Sequence, residues 1–299
     1  MQYRKTAAFA GSVAIMLLAF TAIASADSFS SVIVYGDSLS DNGNLYAAIG
    51  YPPSPYYNGR FSNGPVTVEQ LAAMLGAPLY DFAWGGATSG IGNYVDGGTQ
   101  TSFGAFGLPG MIPELFGSGS QLSSLNLPNS VFVVWGGAND YLTGGSPVSA
   151  AADIDFIVST LQSDGATHIL VPNMPDLGLT PDYYGDAGAT AYAAEFNSLL
   201  QASLPTGATY IDTFGLMHQI ENNPAAYGFT NVTQPCFNGV SVCSDPSQYL
   251  FWDGFHPTTT ADTILADQFA DAVPEPSSIL MLGTGIAVLV GLLRRRRTA

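Results

Sequence analysis

Five short runs of apolar, mostly β-branched residues recur along the chain, Val32 to Tyr35, Leu79 to Ala83, Val131 to Trp135, His168 to Val171 and Thr209 to Ile211, each bounded by turn-forming residues. Runs of this length read as strands. Because they are apolar throughout rather than at every second position, they predict burial on both faces. The segments between them carry helical spacing instead. In Gly188 to Leu204, Tyr192, Phe196, Leu199 and Leu200 fall on one stripe, and Val66 to Leu75, Val148 to Leu161, Thr213 to Ile220 and Thr259 to Ala270 also read as helices. Strands alternating with helices predict a parallel sheet covered on both sides, a three-layer α/β/α fold. Tyr51 to Ser62 and Gly90 to Gly119 are rich in Gly, Pro, Ser and aromatics without a period, and are expected to be long loops around a site. There is no internal repeat and no sign of a second soluble domain.

The two ends are patterned differently. Arg4 and Lys5, an apolar stretch from Ala7 to about Ala22, and the small residues Ala24-Ser25-Ala26 have the form of a signal peptide cut after Ala26, so residues 1–26 are read as an export signal. At the other end Pro274-Glu275-Pro276 precedes an uncharged run from Ser277 to Leu293 and the four arginines Arg294 to Arg297. At about 1.5 Å per residue that run spans roughly 25 Å, near the lower limit for a membrane helix. The arginines would stay cytoplasmic, leaving everything before Pro274 on the outer side. This tail, residues 274–299, resembles the PEP-CTERM sorting signal of exported bacterial proteins. The resemblance implies transient membrane insertion, removal of the tail by an exosortase-type membrane protease, and delivery to the cell envelope or extracellular matrix.

Between these ends, residues 27–273 are a normal length for one α/β domain with a substantial core. This region keeps one base, Arg60, against 22 acids, a formal charge of −21. Such a surface repels phosphate backbones, which excludes nucleic acid as a partner and disfavours strongly anionic substrates. The same charge keeps an exported protein soluble. Cys236 and Cys243 are the only cysteines. In an oxidising compartment they are expected to close a short disulfide loop, and without nearby histidines they make a poor metal site.

Ligands of open α/β sheets bind beyond the carboxyl ends of the strands. Ser38 follows the first predicted strand, Gly85 and Gly86 the second, and Asn139 with Asp140 the third, so all three polar clusters converge on one edge. A serine hydroxyl needs a base to become a nucleophile, and three histidines are available. His168 opens a strand at its amino end and reads as structural. His218 reads as a helix-surface residue, although Asp212 six residues earlier keeps it as an alternative base. His256 is favoured, because Asp253 three residues before it can reach the imidazole within one turn and fix its tautomer and orientation. The N–H groups of Ser38 and Gly86 and the side-chain amide of Asn139 would meet the need for oxyanion donors.

Together Gly36-Asp37-Ser38-Leu39-Ser40, Gly86, Gly137-Ala138-Asn139-Asp140 and Asp253-Gly254-Phe255-His256 resemble, in order, the four signature blocks of the SGNH, or GDSL, hydrolases. The resemblance extends to Asn58 through Pro65 and Val171 through Gly178, and so covers nearly all of residues 32–270. It implies a flavodoxin-like α/β/α serine esterase or lipase acting on acyl esters without a cofactor. Carried over, Ser38 is the nucleophile, Asp253 and His256 complete the triad, and Ser38, Gly86 and Asn139 form the oxyanion hole. Many relatives have Asn where this chain has Asp81. Arg60 is expected to be a structural ion-pair partner rather than a substrate anchor, and Tyr56, Tyr57, Phe103, Phe106 and Trp252 either line an acyl pocket or pack the loops down. Two other readings remain: a non-catalytic matrix or adhesion protein on a hydrolase fold, and an esterase that removes acetyl groups from matrix polysaccharide.

Overall fold

Successive side chains of a strand point to opposite faces, so a strand apolar at every position must feed two cores. The computed structural model describes residues 29–273 and shows this division. Ile33 and Tyr35, with Phe132 and Val134, enter one buried cluster, while Val32 and Val34, with Val131, Val133 and Trp135, enter another. The chain runs β1 (Ser31–Gly36), α1 (Asn44–Ile49), α2 (Thr67–Leu75), β2 (Leu79–Asp81), α3 (Met111–Gly117), α4 (Gly119–Leu122), β3 (Ser130–Trp135), α5 (Ala138–Leu142), α6 (Pro147–Ser163), β4 (His168–Pro172), α7 (Ala187–Ser203), β5 (Ala208–Ile211), α8 (Thr213–Asn222), β6 (Asn231–Pro235), β7 (Tyr249–Phe251) and α9 (Thr259–Ala272). β1 to β5 form one sheet in the order β2-β1-β3-β4-β5, every pair parallel. Ile154 and Ile157 of α6 and Phe196 and Leu200 of α7 cover the first face. Val68 and Leu71 of α2 and Phe269 of α9 cover the second. This is the expected three-layer α/β/α arrangement.

The long helices begin where side chains cap their free N–H groups. Ser146 accepts from Val148 N ahead of α6, Asp186 from Gly188 N and Ala189 N ahead of α7, and Asp212 from Gly215 N ahead of α8. Part of the expected loop Gly90 to Gly119 is ordered instead: Tyr94–Asp96 makes a turn of 3-10 helix, and Met111–Gly117 is α3. Met111 and Leu115 bury against the first cluster, and this tertiary contact outweighs the weak local period. β6 and β7 form an unexpected two-stranded parallel sheet; each is only a few residues long and their register is irregular, so no period marks them in the sequence. The main sheet's neighbours form one compact unit, Phe29–Val273, which contains four apolar clusters. The export signal read at residues 1–26 and the tail at 274–299 lie outside the described residues. Among the described residues no helix is long and apolar enough to cross a membrane.

Candidate active site

The site is assembled from turns at the carboxyl edge of the sheet. β1 ends at Gly36, which pairs with Trp135 of β3; a Cβ there would stand 2.5 Å from the Trp135 carbonyl oxygen, so only glycine permits this approach. Immediately beyond, Ser40 N and Asp41 N donate to the Asp37 carbonyl and Leu39 N donates to Asp37 Oδ1, closing a turn with Ser38 at its apex. Two buried acids bolt this turn to the one after β2. Asp41 accepts from Gly43, Asn44 and Leu45 N–H groups at the start of α1 and from Gly85 N at 2.7 Å. Glu114 of α3 accepts from Gly36 N at 3.0 Å and Trp84 N at 3.2 Å, and burial pushes its carboxyl well above the ordinary value. Asp81 takes Asn42 N and Ala83 N as donors.

Gly86 is held in the left-handed region, φ +81°, and a Cβ would collide with Asn93 Oδ1 at 2.5 Å. Its N–H and that of Ser38 have no acceptor among the described residues. Asn139, on α5, directs its amide nitrogen to the Ala87 carbonyl at 3.0 Å and, more loosely, to Asp37 Oδ2 at 3.3 Å.

The remaining groups come from the turn between β7 and α9. His256 Nε2 lies 2.8 Å from Ser38 Oγ, 218 residues away in sequence, while His256 Nδ1 lies 2.8 Å and 2.9 Å from the two Asp253 carboxylate oxygens. Asp253 Oδ1 also accepts from Phe255 N and His256 N, so one carboxylate both folds the turn and holds the ring. Burial alone would raise the Asp253 carboxyl, but the His256 ring and these N–H donors outweigh it and hold it below the ordinary value. For His256, burial disfavours the charged form; Asp253, with Asp37 and Asp262 contributing, reverses this and holds the imidazolium above its ordinary value. One partner was missed in the sequence. The Tyr56 hydroxyl donates to Asp253 Oδ2 at 2.7 Å across 197 residues.

Ser38, Gly86, Asn139, Asp253 and His256 meet on one cleft of about 540 Å³, walled by Tyr51, Tyr56, Tyr94, Tyr183, Phe237 and Phe255. The other candidates fall elsewhere. His218 pairs with Asp176 at 3.0 Å rather than with Asp212, and His168 packs edge-on against Phe29 at the amino end of β4. Arg60 makes a two-pronged ion pair with Glu69, 2.6 Å at its shorter contact. Trp252 is buried behind the cleft against Phe237, and Phe103 and Phe106 are exposed outside it. Cys236 and Cys243 are bonded to each other. Among the described residues no cluster of His, Cys, Asp and Glu could hold a metal.

A hydroxyl, an imidazole and a carboxylate linked in series beyond the carboxyl ends of a parallel sheet is the arrangement of a serine hydrolase. The chain belongs to the GDSL-like lipase/acylhydrolase family, whose model matches residues 32–269, and is a carboxylic ester hydrolase. A PEP-CTERM protein-sorting motif matches residues 272–297. The chain is 30% identical over 249 residues to a phosphatidylcholine-sterol acyltransferase of Aeromonas hydrophila, covering 76% of this chain and 71% of that protein. It is 25% identical over 287 residues to a thermolabile hemolysin of Vibrio parahaemolyticus, covering 82% of this chain and 64% of that protein. Among solved structures, a member of the lipolytic G-D-S-L family from Veillonella parvula is matched with a TM-score of 0.48 and 16% identity, over 81% of this chain and 96% of that one.

Proposed function

We propose that Ser38 is the nucleophile of an exported acyl-ester hydrolase, with His256 as base and then acid and Asp253 as its orienting partner. The observation that carries this reading is the unbroken series Ser38 Oγ, His256 Nε2, His256 Nδ1, Asp253 on the wall of an open aromatic cleft. With Nδ1–H donated to Asp253, Nε2 is free to accept the serine proton. Ser38 Oγ attacks the ester carbonyl carbon, its proton passes to His256, and negative charge develops on the carbonyl oxygen. The N–H groups of Ser38 and Gly86 meet that oxygen without giving up a protein partner. Asn139 joins them by surrendering its longer contact, the one to Asp37. Collapse expels the alcohol, which takes the proton from His256. Water then adds to the acyl-serine while His256 takes its proton; the bond from the acyl carbon to Ser38 Oγ breaks, His256 returns the proton to Ser38, and the acid leaves.

The PEP-CTERM motif and the N-terminal pattern support export through residues 1–26, passage through a membrane-anchored precursor and processing by an exosortase-type protease. The family's acyl chemistry favours an enzyme over the non-catalytic reading, and the similarity to a phosphatidylcholine-sterol acyltransferase favours a lipid ester over a polysaccharide acetate. In the decisive experiment Ser38→Ala is expected to lose both turnover of a short-chain aryl ester and labelling by a fluorophosphonate, while remaining folded by circular dichroism. Turnover and labelling that survived in the variant would remove Ser38 from the mechanism.

A further inference from the structure

Three loops that lack exposed charge contribute to the cleft wall, in a region that carries 22 acids. The first comprises α1 and the loop that follows it. No residue from Gly43 to Gly59 is ionisable apart from tyrosines, and Tyr46, Ile49, Tyr51 and Tyr57 are exposed there. The second spans Ser89 to Gly110 and exposes Tyr94, Phe103 and Phe106. Its single acid, Asp96, is turned inward, accepting from Phe106 N and Leu108 N. The third is the disulfide-closed loop from Cys236 to Cys243, again without charge, with Val240 at its tip. Tyr51, Tyr94 and Gly239 carry these loops into the cleft wall.

The three loops share a packed base. Leu45 of the first, Phe61 just beyond its end and Leu108 of the second form one buried cluster with Tyr56 and Val95. Tyr56 in turn meets Phe237 of the third edge-on at 5.7 Å. The exposed side chains thus belong to loops anchored by this shared packing. The two most exposed, Phe106 at 76% and Val240 at 92%, have no hydrogen-bonding atom in their side chains.

We infer that this rim is a docking surface for a lipid–water interface, seating the cleft mouth on a neutral or zwitterionic lipid layer. Apolar side chains that cannot hydrogen-bond suit hydrocarbon, whereas a polysaccharide platform stacks sugar rings on planar aromatic faces and has no use for an aliphatic side chain such as Val240 as the most exposed group. A second copy of the chain on this face would close both clefts. The charge-free rim against an acidic remainder selects the lipid, because a layer of anionic headgroups would be repelled by the rest of the molecule. Asp182 also lines the cleft and reinforces that preference. Burial of apolar side chains drives such binding, so high salt does not abolish it. The ester-hydrolase reading supplies the reason for the surface, since a poorly soluble acyl ester must be drawn from an aggregate.

The test uses residues 29–273, the unit that contains all four apolar clusters, and Phe106→Asp/Val240→Asp, which changes neither the cleft wall nor the triad. Wild type is expected to co-sediment with phosphatidylcholine vesicles at low and high salt, and more weakly with phosphatidylglycerol vesicles at low salt. The double variant is expected to lower the phosphatidylcholine partition coefficient at least about tenfold, the loss of roughly 1.4 kcal/mol or more of apolar transfer, while its turnover of a soluble short-chain ester stays within about twofold of wild type. Absent vesicle binding, or equal binding by the variant, would overturn the inference, as would rim-dependent dimerisation or capture by insoluble polysaccharide without vesicle binding. Ser38→Ala separates the two readings: it is expected to bind vesicles as wild type does. Wild type that binds vesicles but turns over no ester would refute the chemistry and leave the surface standing; the reverse result would refute the surface alone.

Discussion

Tyr56 shows how much of the site is decided by single atoms. Its hydroxyl donates to the same Asp253 oxygen that His256 Nδ1 meets, and its ring sits edge-on to Phe61, Phe237 and Trp252. Tyr56→Phe keeps that packing and removes only the donor. The carboxylate then acts more strongly on the imidazolium, so the acidic limb of kcat/KM is expected to move to higher pH by up to about one unit, the equivalent of a charged hydrogen bond of about 1.5 kcal/mol. A pH–rate profile checks this; an unmoved limb would make the contact merely structural. In the wild type that limb is itself expected to lie above the ordinary histidine value, because His256 must be neutral to act and Asp253 opposes its deprotonation. Asn139→Ala is expected to lower kcat by about 10² to 10³, the usual cost of one oxyanion donor, and steady-state kinetics with an aryl ester would detect an unchanged value. Ser38, Asp253 and His256 were legible as residue types at motif spacing. Tyr56 was not, because nothing local marks one tyrosine among several in a loop as the partner of a carboxylate 197 residues on.

Among the elements, the strands and long helices were legible to within a few residues, since their periodicity and caps are local. Val148 to Leu161 extends to Pro147–Ser163 and Thr213 to Ile220 to Thr213–Asn222. What local pattern hid were the elements that tertiary contacts create. α3 hides in a glycine-rich stretch, yet its Glu114 ties the ends of β1 and β2 together. β6 and β7 pair with each other beside the disulfide loop. That loop is also where stability can be tested at this scale. Replacing Cys236 and Cys243 together by Ala is expected to lower unfolding free energy by about 2.5 kcal/mol in the chain-entropy model for so short a loop. Urea denaturation of both proteins under oxidising conditions measures it, and a difference near zero would mean that the loop's packing, through Phe237 on Trp252, holds it without the bond.

The whole molecule answers to pH through its buried acids. Burial raises Asp37 to about 6, Asp140 to about 7 and Asp262 to about 8, from an ordinary value of 3.8. Each keeps its proton in the folded chain at a pH where the unfolded chain has lost it. The folded state therefore binds more protons between these limits, and stability falls as pH rises through that window. His256, raised, has the same sign: its contribution is present below its ordinary value and lost as pH rises through the folded one. Asp253, lowered, has the opposite sign and acts only as pH falls below the ordinary carboxylate range. The melting temperature is thus expected to decline from about pH 5 to about pH 8, as calorimetry would record; a flat or rising curve would contradict the raised carboxyls. Mutual repulsion of the 22 acids adds to the decline.

By itself the sequence determined the layer architecture and the chemistry on offer. Strand and helix periods are local, and a serine, a histidine with a carboxylate three residues away, and glycines after strands are chemical types that can be read one at a time. Only the tertiary structure decided which of three histidines reaches Ser38, that Asp41 and Glu114 join the turns bearing the oxyanion donors, and that three loops without exposed charge contribute to one cleft wall. Those facts rest on contacts between residues tens to hundreds of positions apart, which packing selects and no local pattern encodes.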